Sequence, residues 1–225
     1  MKVLEKIPSE NARSYAVRVL LFNIINLELP PGSSISENEL SAELALSRTP
    51  IREALIELSK MNLVEILPQR GSYISKIDYN SVEESRFIRL VVENAVVQLA
   101  CNGISEAYIQ ALENNIQLQI QNFEQCNSSN FLYLDNEFHK LIFQSVDKNW
   151  SYKIIKDQMV HFDRLRVLSS KFGKNRYTIR DHEDILYAIK RKDPELAEIL
   201  MTRHLTRHRA EKSELLEAYP DYFVD

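Results

Sequence analysis

Apolar residues recur every three or four positions along most of this chain, the period of helices with one buried face. Over residues 9–27, Ala12, Tyr15, Ala16, Val19, Leu20, Phe22 and Leu27 form such a face, and Pro30-Pro31-Gly32 stops the helix. Residues 35–44 predict a second, shorter helix. Ser36 with Glu39 makes a capping box, and Leu40 and Leu44 point one way. After the tight connection Ala45-Leu46, Ile51, Leu55 and Leu58 mark a third helix, with Ser47 or Thr49 as N-cap and Pro50 in the first turn. Asn62 is placed to end it in a left-handed conformation.

The pattern then changes period. Leu63-Val64-Glu65-Ile66-Leu67 and Ser72-Tyr73-Ile74-Ser75-Lys76-Ile77 alternate as strands do, around the turn Pro68-Gln69-Arg70-Gly71. Two short helices in tight succession followed by a hairpin predict a winged helix-turn-helix of three helices and a two-stranded wing.

Beyond Ile77 the helical period returns. Residues 78–101 carry Val82, Phe87, Leu90, Val91, Ala95, Val96 and Leu99 as an apolar face, and Asn102-Gly103 ends the helix. Residues 104–125 place Ile109, Leu112, Ile116, Ile120 and Phe123 inward, leaving the many Gln and Asn residues as a solvated face. Further helices are predicted over residues 129–146, 149–171, 175–191 and 194–217. The breaks fall at Asn127-Ser128-Ser129-Asn130, Lys148-Asn149, Gly173-Lys174 and Asp193-Pro194. The expected fold is mainly α, with residues 1–77 as one domain and 78–225 as an antiparallel all-α bundle of about six helices. No flexible linker separates them, which predicts fairly rigid coupling.

Composition adds little to this pattern and charge adds more. The chain has 225 residues, 44% hydrophobic, with 4 glycines, as in a helical globular protein. No apolar run approaches the ~20 residues that span a membrane, and the N-terminus lacks a secretory signal, so a cytoplasmic protein is expected. Cys101 and Cys126 form no close-spaced motif; two free thiols are expected, with a disulfide between them the alternative. The net charge of -4 lies entirely in residues 78–225, while residues 1–77 are neutral. A neutral module should grip nucleic acid weakly alone, so two copies on two half-sites of a palindromic DNA operator, and hence a homodimer, are expected.

The chemistry of the first domain lies in Ser47-Arg48-Thr49-Pro50-Ile51-Arg52-Glu53-Ala54-Leu55. A helix N-terminus attracts phosphate, and an arginine fork suits phosphate or the guanine edge. Taken alone, the stretch also fits a surface helix with two solvated arginines. Together with Pro31-Gly32, the capping-box helix, Leu63-Val64 and Arg70-Gly71, it resembles the winged helix-turn-helix of GntR-family bacterial transcriptional regulators over residues 8–77. The family usually has glycine where this chain has Asn62, which tolerates the same backbone. The resemblance implies that Arg48, Thr49 and Arg52 contact DNA, with Arg70 and Gly71 at the wing tip.

The second domain holds all five histidines: His139, His161, His182, His204 and His208. Asp135 and His139 are four apart and leave one helical face, half of a metal site, while His182 and His204 lie on later helices. Spacing alone leaves structural histidines as the alternative. Residues 78–217 are similar to the FCD ligand-binding domain, the FadR-type partner of GntR winged helices. That resemblance implies Asp135, His139, His182 and His204 as ligands, the first two as its Asp-x-x-x-His pair. His208, one turn after His204, is their competitor, and His161 could line the pocket. Four ligands leave about two positions open on a six-coordinate ion for an effector oxygen. Zinc, nickel and manganese all remain open. Arg89, with Glu93 one turn on, matches the family's Arg-x-x-x-Glu and would clamp a small organic acid effector; a surface pair is the alternative. Arg164 and Arg166 are further candidates.

The expected protein is thus a DNA-binding regulator, a repressor relieved by its effector, and not an enzyme. Two alternatives stand beside it. One is a metal-free regulator responding to an acyl chain or acyl-coenzyme A. The other is a metal-dependent hydrolase or lyase, against which no nucleophile motif or telling second carboxylate appears.

Overall fold

The computed structural model describes residues 1–125, 130–173 and 175–224. The chain divides into two compact units, Met1–Tyr79 with Leu216–Asp225, and Asn80–Leu215. Cys126 and the Asn127-Ser128-Ser129 break fall outside the described residues, as does Lys174; Cys101 is buried.

In the first unit, α1 (Ala12–Ile25) packs on α3 (Arg48–Lys60), with α2 (Glu37–Leu44) beside it. Their contact is made by Tyr15, Ala16, Val19 and Leu20 against Ile51, Leu55 and Leu58, all buried. The hydroxyl of Ser36 accepts from Glu39 N at 3.3 Å and caps α2. Ala45 joins α2 to α3 at φ 51, and Asn62 ends the α3 turn at φ 56. The sheet has three strands where the alternation predicts two. Ser34–Ile35 forms β1, so residue 35 is strand and α2 starts only at Glu37. β2 (Val64–Leu67) and β3 (Gly71–Ile74) make the wing, and the strand order is β1-β3-β2, all antiparallel.

The second unit is built on α4 (Tyr79–Ala100), α5 (Glu106–Glu124), α6 (Phe131–Ser145) and α9 (Asn175–Arg191). Val97, Leu112, Phe138, Ile142, Phe143 and Ile185 form the centre of its core. Two expected helices are interrupted. Residues 149–171 break at Met159 into α7 (Asn149–Gln158) and α8 (Val160–Ser170). No Pro or Gly stands there, so no local signal marks the break. The last expected helix divides into α10 (Pro194–Thr206), a 3-10 turn over Arg207–Glu211, and α11 (Lys212–Ala218). There His208 Nε2 lies 3.1 Å from Glu83 Oε1, and Arg209 also donates to Glu83, so an acid on α4 holds the tightened turn.

Two faces differ from expectation. On α4, Phe87, Val91 and Leu99 are exposed by 57%, 55% and 41%, while Ser85, Arg86, Arg89 and Glu93 are buried. On α5, Asn115 and Gln119 are buried, not solvated. In both helices the interior side is chosen by polar partners that lie far off in sequence.

Candidate metal centre and DNA-binding surface

The inward polar residues of α4, α5, α6, α9 and α10 converge. One donor atom each from Asp135, His139, His182 and His204 lies within 4.8 Å of the other three. Asp135 and His139 leave the same face of α6, and both are buried. His182, from α9, is fully buried and stacks on Phe138 at 4.0 Å between ring centroids. His204 comes from α10, and its Nε2 lies 3.0 Å from His139 Nε2. His139 Nε2 and His182 Nε2 are each 3.7 Å from an Asp135 oxygen.

The outer nitrogens of His139 and His182 are held from behind, and that of His204 faces a carboxylate. His139 Nδ1 lies 2.5 Å from Glu93 Oε2. Burial alone would raise the Glu93 carboxyl, but Arg89 and His139 beside it hold it below the ordinary carboxylate range. An ionised Glu93 fixes the His139 proton on Nδ1 and turns the Nε2 lone pair inward. For His182, an amide relay does the same. Asn115 Nδ2 donates to Leu134 O at 3.1 Å, Gln119 Nε2 donates to Asn115 Oδ1 at 2.6 Å, and Gln119 Oε1 therefore accepts from His182 Nδ1 at 2.8 Å. His182 Nε2 has no hydrogen-bond partner among the described residues. His204 Nδ1 sits 3.7 Å from Asp181 Oδ2, a carboxylate that Arg203 and Arg207 anchor. Burial, only partly offset by Asp181, pushes His204 down to about 3, and burial lowers His139 and His182 as well. Three imidazoles that burial disfavours in the charged form, together with one carboxylate, make a donor set that fits a divalent cation.

His208, bonded to Glu83, stands outside this cluster, and His161 is half-buried on α8. Arg89 is buried, so its pairing with Glu93 at 2.5 Å is not a surface pair, and its Nη2 is 3.9 Å from Asp135 Oδ2. Arg166 also contacts Asp135, and the guanidiniums of Arg89 and Arg166 lie 5.7 and 5.8 Å from the centre of the single Phe162 ring. Arg164 is buried on the same helix. Gln119, Asn115 and Asp181 were not singled out from sequence. Their only signal was polar residues recurring at helical spacing, which solvated faces share.

In the first unit, Arg48, Thr49 and Arg52 are exposed at the N-terminal end of α3, and Arg70 and Gly71 are exposed at the wing tip. Ser47 caps α3 by position without a side-chain hydrogen bond. Arg52 donates to Glu37 on α2, Nε to Oε1 at 3.2 Å and Nη2 to Oε2 at 3.0 Å. Arg13 and Arg18 are engaged by Glu57 and Glu10.

A helix-turn-helix with an arginine-bearing second helix, followed by a wing, defines a DNA-binding protein. Residues 14–74 match the family described as bacterial regulatory proteins, gntR family, and residues 84–207 match the FCD domain. The chain belongs to the FCD-containing branch of the GntR family of transcriptional regulators. It is 32% identical over 219 residues to the HTH-type transcriptional repressor RspR of Escherichia coli (strain K12), covering 97% of this chain and 96% of that one. It is 28% identical over 192 residues to the gluconate operon transcriptional repressor of Bacillus licheniformis, covering 81% and 79%. Among solved structures, E. coli McbR/YncC shares the fold with a TM-score of 0.75 at 19% identity, covering 93% of this chain and 99% of that one. No helix among the described residues is long and apolar enough to cross a membrane.

Proposed function

We propose that this regulator is a homodimeric repressor whose grip on a palindromic operator is set by a divalent metal and a small carboxylate effector bound in the helical unit. The observation that carries the reading is the convergence of one donor atom each from Asp135, His139, His182 and His204 within 4.8 Å of one another, with His139 and His182 backed by Glu93 and Gln119. In this reading those four side chains hold the ion. The ion would supply open coordination positions for an effector oxygen. Arg89, 3.9 Å from Asp135 and already buried, would pair with the effector's carboxylate. Four polar donors around one point, three of them buried and His204 half-buried, favour a metal over an acyl chain, which needs an apolar lining.

Arg48, Thr49 and Arg52 would enter the major groove, with Arg70 and Gly71 against the backbone or the adjoining groove. Repression is favoured because two similar proteins are named repressors. A second copy is the expected occupant of the exposed stripe Phe87, Val91, Ala95 and Leu99 on α4, since a neutral DNA module needs two half-sites to bind tightly.

Metal analysis of protein purified without chelator, with operator binding measured in the presence and absence of metal and candidate acids, tests this. His182→Ala should lose metal retention and effector response while keeping operator binding. Full metal content in that variant, or operator binding indifferent to every metal and acid tried, would overturn the reading.

A further inference from the structure

The chain passes between the two units twice. It leaves the first unit at Tyr79, through α4, and returns to it at Leu216, out of α11. The returning segment is fastened within the first unit. Ile77, wholly buried, donates its backbone N–H to Tyr222 O at 2.7 Å and accepts from Val224 N at 3.1 Å, which makes a parallel bridge between Ile77 and Phe223. Phe223 is only 2% exposed, and its ring stacks on Tyr79 at 5.3 Å between centroids. A Cβ built on Gly32 would lie 3.8 Å from Asp221 O, so the segment also runs beside the turn that enters β1.

These attachments fall at one place in the winged unit. Gly32 N donates to Ile74 O at 2.8 Å, and Ile74 N donates to Ser33 O at 2.8 Å, which pins the end of the wing strand β3 to that same turn. Ile77 follows three residues after β3 ends. The bound tail therefore clasps the base of the wing.

At its other end the tail begins where α11 ends, and α11 follows the 3-10 turn that follows α10. α10 carries His204 of the candidate metal centre. The turn itself is fixed by Glu83, which takes His208 and Arg209. The helix that carries the candidate ligand His204 is thus joined, through one 3-10 turn and one short helix, to the segment clasped at the foot of the wing.

We infer that residues 219–224 form a strap through which occupation of the metal centre on α10 is reported to the wing base, in parallel with the connection through α4. The nature of the signal rests on the function proposed above; the attachment does not. A change at α10 on metal binding is carried along this covalent connection to the clasped wing base, which biases operator affinity by a coupling free energy.

The experiment uses the full chain, either zinc-loaded or chelated, with operator binding and hydrogen exchange of the Ile77 amide read together. In the natural sequence, zinc should shift operator affinity and Ile77 protection in step. Phe223→Ala should leave zinc stoichiometry intact, lower Ile77 protection about tenfold or more, and remove most of the zinc effect on operator affinity. A Gly-Ser-Gly-Ser insertion between Ala218 and Tyr219 separates signalling from mere stability. It should preserve Ile77 protection, because the clasp is untouched, yet still abolish the zinc effect. If the insertion variant responds to zinc as the natural chain does, the strap is overturned while the proposed function stands. If the natural chain itself ignores zinc in both readouts, the strap is overturned as a zinc relay, while the proposed function falls only if every other metal and acid tried is also without effect on operator binding.

Discussion

At the scale of single residues, the two arginines that identify the DNA-binding helix are not equivalent. Arg48 is exposed, whereas Arg52 is already engaged bidentately by Glu37. That pair is solvent-exposed and salt-screened, so it contributes little to stability and chiefly aims the guanidinium. Arg52→Ala should weaken operator binding about ten- to hundredfold in a titration at fixed salt, with zinc retention unchanged. Glu37→Gln should keep the fold but relax base preference at the position proposed for Arg52, as judged by binding to an operator series; unchanged preference would mean Glu37 is a bystander. In the bundle, Gln119 is the residue whose role depends most on its neighbours. It transmits an orientation from Leu134 O through Asn115 to His182 Nδ1. Gln119→Leu should lower metal affinity about 10- to 100-fold by competition with a chelator, without removing any ligand.

At the scale of elements, α4 is the helix whose expected apolar face divides. Val82 and Val96 of that face are buried, but Phe87, Val91 and Leu99 are exposed, and Arg86, Arg89 and Glu93 are buried in their place. Desolvating an arginine and a glutamate is costly unless each finds partners, and here Glu93 pairs with Arg89 and His139. Hydrophobic residues left on the outside of a helix in this way mark a surface that something covers. Val91→Glu should convert the protein to a monomer by light scattering and weaken operator binding with it. A dimer that survives this change would place the interface elsewhere. The interruption at Met159 and the 3-10 turn at Arg207–Glu211 belong to this scale too. Neither is marked by Pro or Gly; both are set by what the flanking residues pack against.

At the scale of the whole molecule, acid stability should reflect the lock on the last turn. Arg209, aided by His208 and Arg86 and opposed by burial, holds the Glu83 carboxyl down to about 2 from its ordinary 4.5. A depressed carboxyl contributes stability above its unfolded value and loses it as pH falls through the folded one. Thermal melts between pH 4.5 and about 2 should therefore fall less steeply for Glu83→Gln than for the natural chain. Local sequence was sufficient for the winged helix-turn-helix and for the Asp135–His139 spacing, because capping, turn chemistry and helical spacing act over a few residues; the set of four candidate ligands came only from the resemblance to the FCD domain. Asp135 and His139 were legible as a pair for that reason. Their meeting with His182 and His204 was not a property of spacing, and neither were the Glu93 and Gln119 supports, the outward apolar stripe of α4, the third strand of the sheet, or the return of the tail to Ile77. Each of these joins segments distant along the chain, and only the packing of the helices, by choosing which polar groups are desolvated together, decides between a solvated face and a buried one.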